Sequence, residues 1–172
     1  VSILEDQTGE INFQASDVEG DGISFSISGG SNIQAVLDST SITFTPDEDY
    51  SGTDNFILTA SDGTDENSVT ISVTVDGVND APLITSVPPS SGIEDEEYSY
   101  IVEISDPDSD NFTYSMDNQP EGMSMSEEGV ITWIPGEGDV NTNIITLTVT
   151  DDAEGPLSGT QTFIVTVTPV ND

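Results

Sequence analysis

Apolar and polar side chains alternate along nearly every hydrophobic segment of this sequence. Ile11 and Phe13 flank Asn12, and comparable segments follow at intervals of roughly ten residues to the end of the chain. The segments are rich in Val, Ile, Thr and aromatic residues, and Gly, Asp, Asn and Pro separate them. Such alternation is typical of half-buried strands, and no segment has the period of an amphipathic helix. The pattern therefore predicts an all-β fold, built as an antiparallel β-sandwich.

The same alternation predicts which side chains face a core. In the first half they are Ile11, Phe13, Ala15, Ile23, Phe25, Ile27, Ile42, Phe44, Phe56, Leu58, Ala60, Val69, Ile71, Val73 and Val75. In the second half they are Tyr98, Tyr100, Val102, Ile104, Phe112, Tyr114, Met116, Ile131, Trp133, Ile145, Leu147, Val149, Phe163, Val165 and Val167. Flexible methionine side chains are expected to fill the remaining core space.

One tripeptide indicates an internal duplication. Val78-Asn79-Asp80 returns as Val170-Asn171-Asp172, and a run of alternating Val and Thr lies shortly before each copy. The two halves align with a shift of 89 residues, for example from Glu5 to Glu94, and the shift grows to 92 only at the final tripeptide. The difference places a small insertion in the turn after Asp151. The duplication predicts two tandem antiparallel β-sandwich domains, residues 1–80 and 81–172, joined by a short linker.

The charge of the chain restricts its partners. The 172 residues include 34 Asp and Glu but no Lys, Arg or His, which gives a formal net charge of −34. A surface of this sign repels nucleic acid and anionic lipid, and ion pairs between side chains are impossible. The carboxylates must therefore be screened by salt or neutralised by bound cations, and Ca²⁺ is the hard cation suited to sites made of oxygen alone.

The missing residue types also bear on catalysis. Without Cys, His or Lys the chain has no disulfide, thiolate, imidazole base or Schiff-base amine, so we do not expect an enzyme. A carboxylate pair of the glycosidase kind is the catalytic arrangement that stays open. No apolar run is long enough to span a membrane, so direct membrane insertion is not expected.

The acidic residues gather in the loops between predicted strands. In the segment Asp106-Pro107-Asp108-Ser109-Asp110, three carboxylates occupy alternate positions of a turn, a spacing that lets a loop wrap oxygens around one ion. The segment is not an EF-hand loop, because Asn111 and Asp117 stand where that loop requires Gly and Glu. Any single Asp here could equally be a solvated turn residue, since Asp favours turns.

Two groups of motifs resemble known repeat families. Phe44-Thr45-Pro46-Asp47-Glu48-Asp49-Tyr50, Ala60-Ser61-Asp62-Gly63 and Val78-Asn79-Asp80-Ala81-Pro82 make the first half similar to bacterial cadherin-like repeats of large surface and secreted proteins. Asp106-Pro107-Asp108-Ser109-Asp110 and Gly129-Val130-Ile131-Thr132-Trp133-Ile134-Pro135 make the second half similar to dystroglycan-type cadherin-like domains. The resemblance implies an Ig-like Greek-key sandwich in each half and an extracellular or cell-surface location.

The resemblance also implies Ca²⁺ at the junction between successive domains. The ligands that it implies in the first domain are Glu5, Asp47, Asp49, Asn79 and Asp80, and those in the second domain are Asp106, Asp108 and Asp151, with Asp110 as an additional ligand. A second cluster, at the free end of the first domain, would use Asp17, Asp21 and Asp62. A mirror cluster at the other end of the chain would use Glu94, Asp139, Asn171 and Asp172.

Several functions are compatible with this sequence. The first is a calcium-rigidified extender or adhesion segment, whose partners are neighbouring cadherin-like domains of the same chain. The alternative is a carbohydrate-binding accessory module of a secreted polysaccharide-degrading enzyme, in which Tyr98, Tyr100 and Trp133 would stack on sugars or cell-surface glycans. Self-association in Ca²⁺ is a third possibility. Life in high salt would explain the acidic surface without excluding any of them.

Overall fold

The computed structural model describes residues Val1–Asn171, and Asp172 lies outside the described residues. The chain divides into two compact units, Val1–Val78 (unit 1) and Asn79–Asp172 (unit 2). Asn79 and Asp80, which the sequence analysis assigned to the first domain, pack with unit 2. The reason is that the Asn79 side chain and the Asp80 backbone donate hydrogen bonds to residues of that unit.

Unit 1 is a sandwich of two sheets. Its strands are β1 (Ser2–Leu4), β2 (Gly9–Asn12), β3 (Ser24–Gly29), β4 (Ile33–Leu37), β5 (Ser41–Pro46), β6 (Gly52–Ser61) and β7 (Glu66–Asp76). One sheet has the order β1-β7-β6-β3 and the other the order β2-β5-β4. Ile42, Phe44 and Val73 are fully buried between the sheets.

Unit 2 repeats this architecture with additional short elements. Its strands are β8 (Leu83–Ile84), β9 (Ser91–Ile93), β10 (Tyr98–Ile101), β11 (Ile104–Ser105), β12 (Phe112–Asp117), β13 (Ser124–Met125), β14 (Val130–Trp133), β15 (Asn141–Asp151) and β16 (Ser158–Thr168), with a 3-10 turn at Glu137–Asp139. The sheets β9-β16-β15-β12 and β10-β14-β13 enclose the core, and β8 pairs with β11. The described residues contain no helix with the length and hydropathy needed to span a bilayer.

Strand register confirms the all-β tandem-sandwich prediction and the position of the insertion. Gly52 pairs with Val75 in unit 1, and Asn141 pairs with Val167 in unit 2. Asn141 lies 89 residues after Gly52, whereas Val167 lies 92 residues after Val75. The shift changes in the turn between β15 and β16, as the sequence indicated. One pairing in each unit departs from the antiparallel pattern, because β1 runs parallel to β7 and β9 parallel to β16.

The alternation assigned most core residues correctly. Phe44 and Trp133, which occupy corresponding positions, are 0% and 2% exposed, and Met123 is buried in the core of unit 2. Two assignments were wrong: Ala15 is exposed and Val69 is 56% exposed. The cause is local, because both residues border an open groove of unit 1, and among the described residues no strand covers it.

Candidate metal centre

The loop after β11 leaves one carboxylate oxygen buried and unpaired. Asp106 Oδ1 accepts hydrogen bonds from the backbone N–H groups of Asp108 and Ser109, each at 2.9 Å. These bonds fold the Asp106–Asp110 segment into a tight turn, for which Asp is well suited. Asp106 Oδ2 is buried and has no hydrogen-bond partner, so this oxygen has lost its water without gaining a donor from the protein.

A second buried oxygen comes from Asn79. Its Nδ2 donates to Asp151 Oδ2 at 3.1 Å and to the Gly155 carbonyl at 3.5 Å. Its Oδ1 is buried without a partner. The Gly155 carbonyl could not be identified from sequence, because it lies in the insertion between β15 and β16 and the direction of a carbonyl leaves no signal in sequence.

Asp151 is a buried carboxylate, 3% exposed, at the end of β15. It accepts hydrogen bonds from the backbone N–H groups of Ala153 at 3.1 Å and Leu157 at 3.0 Å. Burial raises the pKa of this carboxyl, but the bonds from Asn79, Leu157 and Ala153 outweigh burial and hold the pKa below its usual value. Asp151 is therefore ionised at neutral pH.

Hydrogen bonds connect these groups into one cluster, the unit 2 oxygen cluster, which consists of Asn79, Asp80, Asp106, Asp108 and Asp151. The Asp80 N–H donates to Asp108 Oδ2 at 2.8 Å, and Asn79 bonds to Asp151. The start of unit 2 is thereby tied to both acidic loops. All potential ligand atoms here are oxygens, which is the donor set of a hard cation such as Ca²⁺.

Asp110 is exposed, and no described hydrogen bond links its side chain to this cluster. Its neighbour Asn111 donates instead to Asp152 Oδ2 at 3.2 Å.

In unit 1, three of the predicted ligands lie at the end where β1 and β7 finish. Glu5 follows β1, is 3% exposed, and its Oε1 accepts a hydrogen bond from the backbone N–H of Val78. Asp47 and Asp49 lie in the turn between β5 and β6, and Asp49 adopts a positive φ of 56°. These residues share one end of unit 1, because Gly52 after the turn pairs with Val75 near the end of β7.

The remaining unit 1 candidates lie at its opposite end. Asp17 Oδ1 accepts the N–H groups of Gly20 and Asp21 at 2.7 and 3.0 Å. Asp62 Oδ1 accepts those of Thr64 and Asp65, and the bonds from Asp65 and Thr64 lower the pKa of this carboxyl. Asp21 itself is exposed. These side chains organise turns, and their known contacts do not require an ion.

The mirror cluster occupies the end of unit 2 where β9 and β16 finish. Glu94 is 5% exposed and its Oε2 accepts the N–H of Val170 at 2.9 Å, which repeats the Glu5 contact of unit 1. Asp139 Oδ2 accepts the N–H of Gly136 at 2.9 Å. Glu94 and Asn171 line the same cavity of about 600 Å³. The predicted ligand Asp172 lies outside the described part of the chain.

The proposed sugar-stacking residues are not available at the surface. Trp133 is 2% exposed, and Tyr98 and Tyr100 are each 4% exposed. Tyr100 packs edge-on against Phe163 at a ring-centroid distance of 5.8 Å. Every other aromatic side chain is buried or half-buried as well. These three aromatics build the core of unit 2 and form no exposed platform.

Comparison with protein families covers both halves. Residues 81–168 match the family model described as "Putative Ig domain", and residues 1–75 match the model described as "Bacterial Ig domain". No curated protein matches the chain.

Solved structures show the same fold at low sequence identity. Human protocadherin-24 EC1-2 has a TM-score of 0.61 and 14% identity, over 93% of this chain and 88% of that chain. Mouse cadherin-23 EC22-24 has a TM-score of 0.57 and 23% identity, over 86% of this chain and 53% of that chain. The cadherin-like, Ig-like sandwich expected from the sequence is confirmed.

An endo-fucoidan hydrolase of glycoside hydrolase family 107 also matches, at 19% identity and a TM-score of 0.47 over 99% of this chain. This chain spans 28% of the length of that hydrolase. A likeness at this level supports neither a catalytic nor a carbohydrate-binding role.

Proposed function

The chain belongs to the Ig-domain family that its residues 81–168 match, and from that membership we propose that it is a calcium-rigidified extender or adhesion segment of a large secreted or cell-surface protein. Ig-like and cadherin-like modules of this kind are usually extracellular. The proposal assigns to Ca²⁺ the task of linking neighbouring modules, and it assigns no catalytic step to the chain.

The observation that supports calcium is the pair of buried oxygens without donors, Asn79 Oδ1 and Asp106 Oδ2. A buried polar atom without a partner typically costs about 1–3 kcal/mol, and a native fold retains such atoms mainly where a ligand or water satisfies them. With no Lys, Arg or His in the chain, a side-chain cation cannot do so. Asn79, Asp80, Asp106, Asp108 and Asp151 would hold Ca²⁺, which takes six to eight oxygen ligands at about 2.3–2.6 Å.

The rigidifying role requires ligands from more than one module. We propose that Glu5, Asp47 and Asp49 of unit 1 complete the coordination, as the family resemblance implies. Extracellular modules bind Ca²⁺ with dissociation constants of about 10⁻⁴–10⁻³ M. An ion that binds only the ordered arrangement stabilises it by about 2.7 kcal/mol at a hundredfold excess over that constant.

Calorimetric titration of the full chain with Ca²⁺ tests the site. Asp106→Asn should weaken binding by about tenfold or more, because it removes one charge from the ligand set while the amide oxygen can still accept the turn bonds of Asp108 and Ser109. Asp117→Asn is the matched control, since Asp117 is an exposed carboxylate at the end of β12. Equal affinities of both variants and the parent chain would refute the site.

The double variant Asp47→Asn/Asp49→Asn separates a shared site from a site within unit 2. A shared site predicts weaker binding in this variant, together with a Ca²⁺-dependent change of the small-angle scattering profile in the parent chain. Unchanged affinity and scattering profiles that are identical in Ca²⁺ and chelator would remove the linking role and leave only a local site.

A further inference from the structure

The outward face of one sheet of unit 2 is nearly free of charge, although the chain carries a net charge of −34. This sheet is β9-β16-β15-β12, and its outward side is called the hydroxyl face. Within these four strands, all of which the structure describes, Asp117 at the end of β12 is the one carboxylate that points outward. The face consists of Ser91, Ile93, Thr113, Ser115, Asp117, Thr142, Ile144, Thr146, Thr148, Thr150, Ser158, Thr160, Thr162, Ile164, Thr166 and Thr168.

Several hydroxyl groups of this face are already hydrogen-bonded within it. Thr146 Oγ1 lies 3.1 Å from Thr162 Oγ1, and Thr150 Oγ1 lies 2.7 Å from Ser158 Oγ. The Thr113 hydroxyl donates to the Thr150 carbonyl at 3.4 Å. Covering a polar group costs little when the group already has a hydrogen-bond partner. The centre of the face can therefore lose its water without leaving these hydroxyls unpaired.

Three isoleucines lie on the same face with much of their surface in water. Ile144 and Ile164 stand opposite each other on β15 and β16 and are 52% and 50% exposed, and Ile93 on β9 is 43% exposed. Removing apolar surface from water is favourable. These side chains therefore favour a partner that covers the face, and the paired hydroxyls beside them do not oppose it.

The size of the hydroxyl face limits how tightly a partner can bind. β15 and β16 are each 11 residues long, which corresponds to about 36 Å, and neighbouring strands lie about 4.8 Å apart. The four strands together present roughly 500 Å². Two such faces in contact would bury roughly 1,000 Å², the lower bound for a specific protein interface. This area fits a weak, reversible association.

We propose that the hydroxyl face is a self-association surface, on which the same face of a second copy of this chain packs about a twofold axis. A twofold dimer places the same patch on both sides of the interface, so the patch must not repel itself. The acidic loops cannot meet this condition, because two identical carboxylate clusters repel each other and the chain has no cationic side chain. The hydroxyl face meets it, and two twisted sheets pack face to face at about −30°.

Other occupants of the face fit its chemistry less well. A basic partner would be drawn to the acidic loops, since charge steers association. A neutral polysaccharide needs free hydrogen-bonding groups or exposed aromatic rings, but the central hydroxyls are paired with each other, and Tyr98, Tyr100 and Trp133 are buried.

The corresponding face of unit 1 is a weaker candidate. Its strand β7 carries Glu66 and Asp76 at its two ends, and both are exposed. Its central strands β6 and β7 offer one exposed isoleucine, Ile57, where the central strands of unit 2 offer two. The proposal therefore concerns the unit 2 face.

Sedimentation equilibrium of the full chain in chelator, at 0.1 M and 1 M KCl, tests the proposal. Salt shortens the Debye length from about 10 Å to about 3 Å between these concentrations, so the repulsion between two acidic copies decreases. The dissociation constant of the dimer should therefore fall by about tenfold or more at 1 M KCl.

Two variants locate the interface. Thr162→Asp should weaken dimerisation by about tenfold or more, because the new carboxylate would lose its water at the interface without meeting a cation. The matched control is Ser99→Asp, which adds the same charge at an exposed position of β10 in the opposite sheet of unit 2 and should dimerise as the parent chain does. Ile144→Thr/Ile164→Thr adds no charge, retains β-branched side chains and should weaken dimerisation by a similar factor.

A parent chain that stays monomeric in 1 M KCl at millimolar protein concentration would overturn the proposal. Equal dissociation constants for Thr162→Asp and Ser99→Asp would overturn it as well. Electrophoresis in a gel that contains dextran tests the other flat occupant: retardation of the parent chain but not of Thr162→Asp, without a dimer in sedimentation, would assign the face to a glycan instead. Because the dimer is measured in chelator, its absence would leave the proposed calcium site untouched.

Discussion

Several carboxylates in this protein accept hydrogen bonds from backbone N–H groups, and no positively charged side chain exists to pair with them. Asp17, Asp62 and Asp106 each accept two such bonds within their own turns. Asp54 accepts three, and all of them come from the segment before β4 and its first residue. A bond to an ionised oxygen is stronger than one to a neutral acceptor, so these carboxylates contribute to folding as well as to charge.

Asp54→Asn is expected to destabilise unit 1 by about 1–2 kcal/mol at neutral pH, because an amide oxygen is a weaker acceptor for the N–H groups of Ser31 and Asn32. These same bonds hold the pKa of Asp54 below its usual value of 3.8. The stabilisation is therefore complete above the unfolded-state pKa and is lost as the pH falls through the lower folded-state pKa. Urea denaturation at pH 7 and at about pH 2 should show the parent-variant difference shrinking in acid.

The matched control for this change is Glu10→Gln, since Glu10 is an exposed carboxylate on β2 of the same unit. Glu10→Gln removes one negative charge, as Asp54→Asn does, but it leaves the hydrogen bonds from the Ser31 and Asn32 N–H groups to Asp54 unchanged. Equal stability of the two variants, or a difference that does not depend on pH, would argue against the hydrogen-bond account.

The strands themselves were largely predictable from sequence. Alternation located them because each strand has one face on a core and one in water, and the 89-residue shift located the duplication. Ala15 and Val69 were misassigned because burial of a strand face needs another element to cover it, which a local pattern cannot report. The parallel pairing of β1 with β7 was not predicted either, because pairing direction depends on where the chain enters the sheet.

The candidate ligands were predictable only in part. Sequence spacing identified the loops, and the structure brings Asn79 next to Asp151 and Asp80 next to Asp108 within unit 2. It does not bring Asp110 into that cluster by a described bond. The orphaned oxygens of Asn79 and Asp106 emerge only from three-dimensional packing. Calcium binding by these residues stays a prediction.

Gly159→Ala is expected to destabilise unit 2 by about 1–3 kcal/mol, because the new methyl would lie 1.9 Å from the Pro82 carbonyl and force β8 away from β16. Thermal unfolding measures the loss, and hydrogen exchange should localise it to the residues around Leu83 and Ile104. Gly138→Ala is the control, since no atom lies within 4 Å of its added Cβ. Similar losses from both substitutions would contradict the packing argument.

The net charge of −34 acts on the molecule as a whole. Carboxylates that repel one another destabilise a compact state, and salt weakens that repulsion by shortening the Debye length from about 10 Å at 0.1 M to about 3 Å at 1 M. In chelator, raising KCl between these concentrations should therefore raise the unfolding temperature by several degrees. Millimolar Ca²⁺ should add a further increase that Asp106→Asn reduces.

Tetramethylammonium chloride is the control for this experiment, because it screens charge without offering a small cation to bind. Similar increases with both salts would identify screening as the cause. An unfolding temperature that does not respond to either salt would show that the repulsion is too weak to matter for stability.

The parallel pairing of β1 with β7 also bears on how this sheet would respond to tension. The two strands run in the same direction side by side, and β9 and β16 repeat the pairing in unit 2, where β8 precedes β9 and pairs with β11. Force applied to the start of β1 and to the end of β7 would load the hydrogen bonds between these strands together, in shear, instead of opening them one after another. Parallel pairs of this kind are therefore expected to resist mechanical unfolding along the strand direction.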